Sequence, residues 1–304
     1  MASADPSPRT EERHPKSFQL DTMSSLDVLE LMNAEDAVAV AQVRSALPRV
    51  AELVELAVRG IGAGGSVHYF GAGTSGRLGV LDAAELGPTF QLEPGVVTAH
   101  IAGGADAVIR SVERSEDSVE QGLADAAELR RGDLAIGLTA SGTTPYVRGA
   151  LAEARARGAS TALVTSNPRS PLAPFADIFI GLDTGPEVLT GSTRLKAGTA
   201  EKLVLNGFST ALMVRLGRTW SNLMVSVVAS NTKLRERSVR ILVEATGCSY
   251  DESVAALRAS DGDLKVALIS SISGTSLGEA RAAIHAASGS VGGALEALRV
   301  ARPS

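Results

Sequence analysis

The feature that most constrains the fold is a series of short apolar segments that begins at Ser66 and alternates with glycine turns and helical segments. Each segment is rich in β-branched or apolar residues and is bounded by turn residues, a pattern typical of β-strands. The predicted strands are Ser66–Phe70, Val96–Ile101, Leu134–Leu138, Thr161–Val164 and Ile178–Leu182. Apolar strands that alternate with helices indicate a parallel sheet covered by helices on both faces, so the predicted fold class is α/β.

The segments on either side of this series complete four predicted regions. Residues 1–18 are polar and rich in Pro, Arg and Glu, which predicts a disordered N-terminal lead. Residues 19–58 predict N-terminal helices that pack on the sheet domain, with Asn33–Asp36 as a polar break between them. Residues 59–220 are the predicted sheet domain, and residues 221–304 predict a small domain of short helices punctuated by glycine.

Composition excludes several classes of partner. The net charge is −5, from 29 Lys+Arg against 34 Asp+Glu, and aromatic residues make up only 3%, so we expect no nucleic-acid binding. Cys248 is the only cysteine and cannot form an internal disulfide, which favours a reducing compartment. No segment has the apolar length of a signal peptide or a membrane span. We therefore predict a cytoplasmic protein without a membrane partner.

The first predicted strand runs directly into a glycine-rich turn, Gly71–Arg77, which is followed by a helical segment, Leu78–Glu85. Backbone N–H groups at a helix N-terminus favour an anion, and Gly73, Thr74 and Ser75 lie in this turn. The glycine spacing also matches a dinucleotide-binding turn, but that spacing alone is a weak indication. Because the turn carries two hydroxyl groups, we favour a compact phosphate monoester as its ligand.

A second hydroxyl-rich turn follows the third predicted strand and contains Ser141, Gly142 and Thr144 before Pro145. Ser141 and Thr144 could simply cap the next helix, as Ser and Thr often do. However, two such turns at the carboxyl ends of parallel strands lie at the usual ligand crevice of an open α/β sheet. Together they predict a site for a small-molecule sugar phosphate.

A longer set of motifs carries a resemblance to a known family. The motifs are Gly71–Glu85, Ile101–Gly104, Glu116–Ser118, Ala140–Gly142, Thr144–Val147 and Gly185–Thr199, with Asn33–Asp36, Lys202–Asn206, Asn222–Met224, Asn231 and Lys233–Leu234. Together they resemble the N-acetylmuramic acid 6-phosphate etherases, which carry a sugar isomerase (SIS) domain. The sequence departs from the family pattern at Leu86 and Gly87, usually Cys and Pro, and at Thr143, where arginine is common.

The resemblance implies two catalytic glutamates, at positions that correspond here to Glu85 and Glu116. In the implied reaction, one of them acts as an acid and protonates the departing lactate oxygen, and the other acts as a base and removes the C2 proton of the open-chain sugar. The resemblance places this reaction in cell-wall amino sugar recycling. We assign Glu85 as the proton donor and expect its apolar surroundings to bury it partly and raise its pKa. Glu116 is assigned as the base; without the resemblance, its charged run Glu113–Glu120 would be interpreted as a solvated helix face.

A third polar cluster precedes the predicted long helix Ser192–Leu216. We favour Ser192 and Thr193 as sugar or phosphate contacts over the alternative that they cap the helix. Arg194 and Lys196 could likewise contact the ligand or be ordinary surface cations. SIS domains commonly form homodimers, so the resemblance also implies a second copy of the chain.

Neither a metal nor a cofactor is predicted, because the single cysteine and the scattered histidines lack metal-ligand spacing. Two alternative functions stay open. One is a non-catalytic sugar-phosphate-sensing regulator, which would have no need of both glutamates. The other is an aldose–ketose isomerase, which also removes a proton beside a carbonyl group.

Overall fold

The computed structural model describes residues 8–226 and 232–301. Asn231, one of the residues on which the family resemblance depends, lies outside them. The described residues divide into two compact units, one within Met1–Ala84 and Pro94–Ser209 and the other within Glu85–Glu93 and Thr210–Ser304. The sequence predicts a domain boundary after residue 220. In the structure, the boundary between the two units lies between Ser209 and Thr210, inside the long helix.

The first unit is built on a five-stranded sheet in the order β2-β1-β3-β4-β5, with every neighbouring pair parallel. The strands are β1 (Val67–Gly71), β2 (Val97–Ile101), β3 (Leu134–Thr139), β4 (Ser160–Thr165) and β5 (Ile178–Gly181). The helices and helical turns of this region are α1 (Ser25–Gly62), α2 (Gly73–Phe90), α3 (Asp106–Ile109), α4 (Val119–Asp125), α5 (Pro145–Ala156) and α6 (Lys196–Arg215). The predicted strands therefore match the observed ones to within one residue at each end.

The register of the sheet places the first two turns side by side. Gly71, the last residue of β1, is paired with Leu138 near the end of β3. Strand β3 is buried along its whole length, because helices cover both faces of a central parallel strand. One of these faces packs against α5 through a core that includes Phe70, Tyr146 and Leu163.

Helix α1 is continuous over Ser25–Gly62, so the predicted break at Asn33–Asp36 is wrong. Its first turn is fixed by a capping box in which Ser24 accepts a hydrogen bond from the Asp27 N–H and the Asp27 carboxylate accepts one from the Ser24 N–H. Polar residues inside a helix do not interrupt it when other elements supply partners. Glu35 and Asp36 have such partners on α6.

The predicted disordered lead also differs from the structure where the structure describes it. Within residues 8–18, Arg9 donates to the Asp183 carboxylate at 2.6 Å, and His14 is buried with its Nε2 3.1 Å from Glu35. These partners lie far away in the sequence, so local composition does not indicate them. Residues 1–7 lie outside the described part of the chain.

The second unit is helical and has its own apolar core. Its helices after the end of α6 are α7 (Thr232–Thr246), α8 (Tyr250–Ala259), α9 (Leu264–Ser273), α10 (Leu277–Ala286) and α11 (Val291–Ala301). Leu242, Leu268 and Ala280 are fully buried in this core, against which Trp220 packs. Capping boxes begin α8 at Ser249 and α10 at Ser276. Among the helices described, none is long and apolar enough to cross a membrane.

Candidate active site

The first hydroxyl-rich turn is also the first turn of α2. The helix begins at Gly73 rather than at the predicted Leu78, so Gly73, Thr74 and Ser75 present the free backbone N–H groups of its N-terminus. These groups and the helix dipole make the turn suited to an anion. Thr74 is half-buried, and no side-chain hydrogen bond occupies its hydroxyl group within the described part of the chain.

Ser75 has a different environment from Thr74. It is 7% exposed, and its hydroxyl group donates to Oε2 of Glu201 on α6 at 2.7 Å. Glu201 is itself buried, and this burial raises its pKa to about 7 while the bond from Ser75 acts to lower it. Glu201 is not among the residues predicted from the sequence, because a glutamate inside a long helix carries no local indication of burial.

A cavity of about 180 Å³ lies beside the first turn. Gly73 and Glu116 both line it, so the structure brings the predicted base and the predicted phosphate turn together. The full lining is Gly73, Arg77, Ala102, Ala107, Ser111, Val112, Glu113, Arg114, Ser115 and Glu116. Arg77 stabilises the wall of this cavity, since its guanidinium donates to the carbonyl oxygens of Val108 at 3.1 Å and Arg110 at 3.0 Å.

Glu116 lies in a single 3₁₀ turn, Ser115–Asp117, and is exposed. The residue before this turn, Arg114, has φ 61°, in the left-handed region that non-glycine residues rarely adopt. The charged run is therefore only partly the helix face that its composition indicates. Its first half is an irregular segment on the wall of the cavity, and the helix α4 begins afterwards at Val119.

Glu85 is exposed on α2, so the expected partial burial is wrong for this residue. The helical period explains the difference. Leu81, one turn earlier on the same face, is 53% exposed, whereas Asp82 is buried and accepts hydrogen bonds from Tyr69, Asn206 and Ser209. Glu85 is absent from the residues that line the cavity described above, and it follows Gly73 by about three helical turns.

The second hydroxyl-rich turn is fixed by neutral hydrogen bonds. Thr144 Oγ1 and Thr139 Oγ1 are 2.8 Å apart, and Ser141 Oγ and Thr143 Oγ1 are 3.0 Å apart. Gly142 has φ 75°, and its carbonyl oxygen accepts a 2.6 Å bond from Ser170. Helix α5 has Thr144 as its N-cap but no side-chain cap bond, so neither hydroxyl serves as the cap that the alternative interpretation assigns.

The segment before α6 lies close to the first turn. A Cβ atom placed on Gly198 would be 3.5 Å from both the Thr193 carbonyl oxygen and the Thr74 methyl group. Ser192 and Thr193 are half-buried, and within the described ranges no bond from their side chains is present. They do not cap α6 either, because the carboxylate of Glu187 accepts the N–H groups of Lys196 at 3.2 Å and Ala197 at 2.9 Å.

Lys196 is buried and is not the surface cation of the alternative interpretation, whereas Arg194 is exposed. The Lys196 ammonium group donates to Glu35 at 2.5 Å, and Glu35 also contacts His14. Burial acts to raise the pKa of Glu35, but the hydrogen bond and charge of Lys196 hold it below its ordinary value. The motif Asn33–Asp36 contributes to the family resemblance. It does not indicate that Lys196 is the partner of Glu35.

The histidines on the sheet form a pair rather than a ligand set. His68 Nδ1 lies 3.0 Å from His100 Nε2 on the neighbouring strand, and burial lowers the pKa of His68 to about 4. Among the residues described, no group of three or more His, Cys, Asp or Glu side chains is arranged to hold a metal ion.

Two family models match the chain. Residues 49–155 match the glucokinase regulatory protein N-terminal SIS domain, and residues 115–205 match the SIS domain. With the parallel sheet and its flanking helices, these matches confirm the predicted α/β class with its SIS domain. Helices α7 to α11 confirm the helical C-terminal region.

Curated relatives match over most of the chain. An N-acetylmuramic acid 6-phosphate etherase of Thermobifida fusca is 55% identical over 86% of this chain and 86% of its own. An etherase of the same name from Cutibacterium acnes is 50% identical, again over 86% of each chain. Among solved structures, a phosphoheptose isomerase from Francisella tularensis is 21% identical with a TM-score of 0.49, covering 62% of this chain and 98% of that one.

Proposed function

The chain belongs to the N-acetylmuramic acid 6-phosphate etherase family, and on that premise we propose that it cleaves the D-lactyl ether of N-acetylmuramic acid 6-phosphate. The products are N-acetylglucosamine 6-phosphate and D-lactate, which makes the protein a carbon–oxygen lyase. The observation that carries the proposal is a single cavity lined both by Gly73 of the anion-binding turn and by Glu116.

The proposed reaction begins with the sugar in its open-chain form, whose aldehyde acidifies the C2 proton. Glu116 removes this proton, the C3–O bond breaks, and the lactate oxygen receives a proton that we assign to Glu85, a residue that does not line this cavity. Water then adds across the resulting double bond at C3, and C2 regains a proton. The net reaction consumes one water molecule. The steps as proposed use neither a redox group nor a metal ion.

The substrate contacts are proposed from the position of each turn. Gly73, Thr74 and Ser75 hold the phosphate through backbone N–H groups and hydroxyl groups. Ser141, Gly142 and Thr144 leave the neighbouring strand at the same edge of the sheet and contact the sugar or its phosphate. Ser192 and Thr193 complete the site from the segment before α6, close to Thr74.

The exposed position of Glu85 supports a homodimer. Leu81 and Glu85 share an exposed helix face, and α1 carries Leu29, Val40 and Leu47 as exposed apolar side chains. Leu29, Val40 and Leu47 are spaced by nearly whole numbers of helical turns and so form one apolar stripe on α1. We propose that a second copy covers these faces. Light scattering should then give twice the 31.2 kDa mass of one chain.

The proposal includes a cytoplasmic location without nucleic-acid or membrane partners. A single cysteine suits a reducing compartment, and a net charge of −5 does not suit a polyanionic partner.

The direct test is to incubate the purified protein with N-acetylmuramic acid 6-phosphate and measure D-lactate. In heavy water, the proposed route should place one deuterium at C2 of the N-acetylglucosamine 6-phosphate. An isomerase would instead give a ketose without lactate, and that result would contradict the proposed ether cleavage.

The match of residues 49–155 to a regulatory-protein domain favours a sensor as the second candidate. A sensor would bind the sugar phosphate with no lactate release. Substituting both Glu85 and Glu116 would leave its binding unchanged.

A further inference from the structure

The carboxyl group of Glu201 is a buried group next to the first turn that the proposed reaction does not use. It is 4% exposed, and its Oε2 accepts the hydroxyl proton of Ser75 at 2.7 Å. Its other oxygen, Oε1, is buried with no hydrogen-bond partner among the described residues. A buried carboxylate with an unpaired oxygen is costly, whereas the neutral carboxylic acid avoids most of that cost.

The hydroxyl group of Ser75 has a single proton to donate. When Glu201 is ionised, its carboxylate accepts the hydrogen bond that this proton makes. Ser75 then presents only lone pairs to a phosphate oxygen. When Glu201 is protonated, its own O–H can donate to Ser75 Oγ, which leaves the Ser75 proton available for the phosphate. The protonation state of Glu201 therefore decides whether Ser75 is a donor or an acceptor toward the ligand.

We propose that Glu201 is a positioning residue that must be protonated for the first turn to bind a sugar phosphate fully, because only then can Ser75 donate to it. This inference rests on the proposed function, since it takes the phosphate of the substrate as the ligand of the turn. A phosphate dianion beside the turn adds a second reason, because like charges disfavour each other inside a protein.

Among the described residues, no neighbouring charge replaces the proton in this role. Burial is the main cause that raises the pKa of Glu201 to about 7, opposed only by the bond from Ser75. Lys202, next in the helix, is exposed. Several other charged or titratable groups of the surrounding elements have partners of their own: Tyr69 with Asp82, Arg77 with two carbonyl groups, Lys196 with Glu35, Asp36 with Thr199, and Glu187 with the N-terminus of α6.

The direction of the pH effect follows from these groups. Sugar-phosphate affinity should be highest where Glu201 is protonated and the ligand is still a dianion, near pH 6 to 7. Above this range, the fraction of protein in which Glu201 is protonated falls. At one pH unit above the pKa of Glu201, the apparent dissociation constant should be about tenfold higher than that of the fully protonated protein.

The experiment compares the wild-type protein with Glu201→Gln, using the reaction product N-acetylglucosamine 6-phosphate as the probe in calorimetric titrations between pH 7 and 8.5. The amide group of glutamine donates to Ser75 at every pH, so we expect the variant to bind with nearly constant affinity. At pH 8 it should bind about tenfold more tightly than the wild type. Equal pH profiles for the two proteins would overturn the inference.

Ser75→Ala supplies the matched control. This variant should bind weakly across the whole pH range, and adding Glu201→Gln to it should no longer improve affinity at pH 8. An improvement of similar size in both backgrounds would show that Glu201 does not act through Ser75, and would also overturn the inference.

A second measurement does not depend on the size of the affinity change. Titrations at pH 8 in two buffers of different ionisation enthalpy should report proton uptake on binding to the wild type, approaching one proton per site, and much less in Glu201→Gln. Lactate release by the wild-type protein with no proton uptake would sink this inference but leave the proposed function intact. Absence of both lactate release and binding would remove the proposed function, and this inference with it.

Discussion

The two hydroxyl-rich turns leave neighbouring strands at the same edge of the sheet, but different kinds of contact stabilise them. In the turn after β1, Ser75 is bonded to a buried carboxyl group, Glu201. In the turn after β3, Gly142 and Thr144 are held by the neutral hydroxyl groups of Ser170 and Thr139. A carboxyl group can change its charge near neutral pH when it is buried, whereas a hydroxyl group does not.

Similar sequences of Gly, Ser and Thr therefore have different physical roles in the two turns. The first turn combines a helix N-terminus, a titratable neighbour and a cavity wall, which are the properties of a reactive site. The second turn is a rigid shape in which one glycine conformation and several short hydrogen bonds fix the backbone. Changes in the first turn should therefore alter chemistry and pH dependence, and changes in the second should alter stability along with the sugar contacts proposed for it.

The largest expected effect is on catalysis. Glu116→Gln and Glu85→Gln should each lower the rate of D-lactate release by about 10²- to 10⁴-fold, because each removes a proton-transfer group. Both variants should still bind N-acetylglucosamine 6-phosphate. Glu120→Gln is the matched control, since it belongs to the same charged run but does not line the cavity. A fully active Glu116→Gln variant would remove that residue from the mechanism.

The next effect contrasts one glycine from each turn. Gly142→Ala should lower the free energy of unfolding by about 2 to 4 kcal/mol, from left-handed strain and overpacking. The added Cβ would lie 2.7 Å from Ser170 Cβ. Gly73→Ala has a similar φ of 53° but no neighbouring atom within 4 Å, so it should cost only about 1 kcal/mol. Denaturant titrations measure both values, and equal costs would contradict the view that the second turn is the rigid one.

The smallest effect is a pH-dependent change in stability at Glu201. Its pKa is raised from 4.5 to about 7 in the folded protein, so its stabilising contribution is complete below 4.5 and is lost as pH rises through about 7. Glutamine does not titrate. Glu201→Gln should therefore match the wild type near pH 5 and exceed its free energy of unfolding by about 1 to 3 kcal/mol at pH 8. Denaturation of both proteins at the two pH values measures this difference, and a constant difference would contradict it.

Much of the fold was accessible from sequence patterns. The five strands, the long helix and the C-terminal helices follow from apolar periodicity and turn residues, which act over a few neighbours in the chain. The break predicted at Asn33–Asp36 was wrong for a different reason. Polar residues favour a break only when they lack partners, and α6 supplies partners for Glu35 and Asp36.

The candidate site was accessible only in part. The pairing of a glycine turn with Glu116 came from the family resemblance, and the structure places both on one cavity. The burial of Lys196 and Glu201, and the exposure of Glu85, depend on which face of a helix meets another element. Local sequence specifies that a helix forms but does not fix these neighbours.

Sequence patterns alone were enough to predict the succession of strands and helices along the chain, the positions of the hydroxyl-rich turns and the resemblance to the family. These properties depend on local backbone preferences and on residue identity. The tertiary structure alone decided that Ser75 donates to Glu201, that Lys196 is paired with Glu35, and that Glu116 faces the cavity at Gly73. Such contacts join residues far apart in the chain, and their electrostatic consequences arise only when packing removes the groups from water.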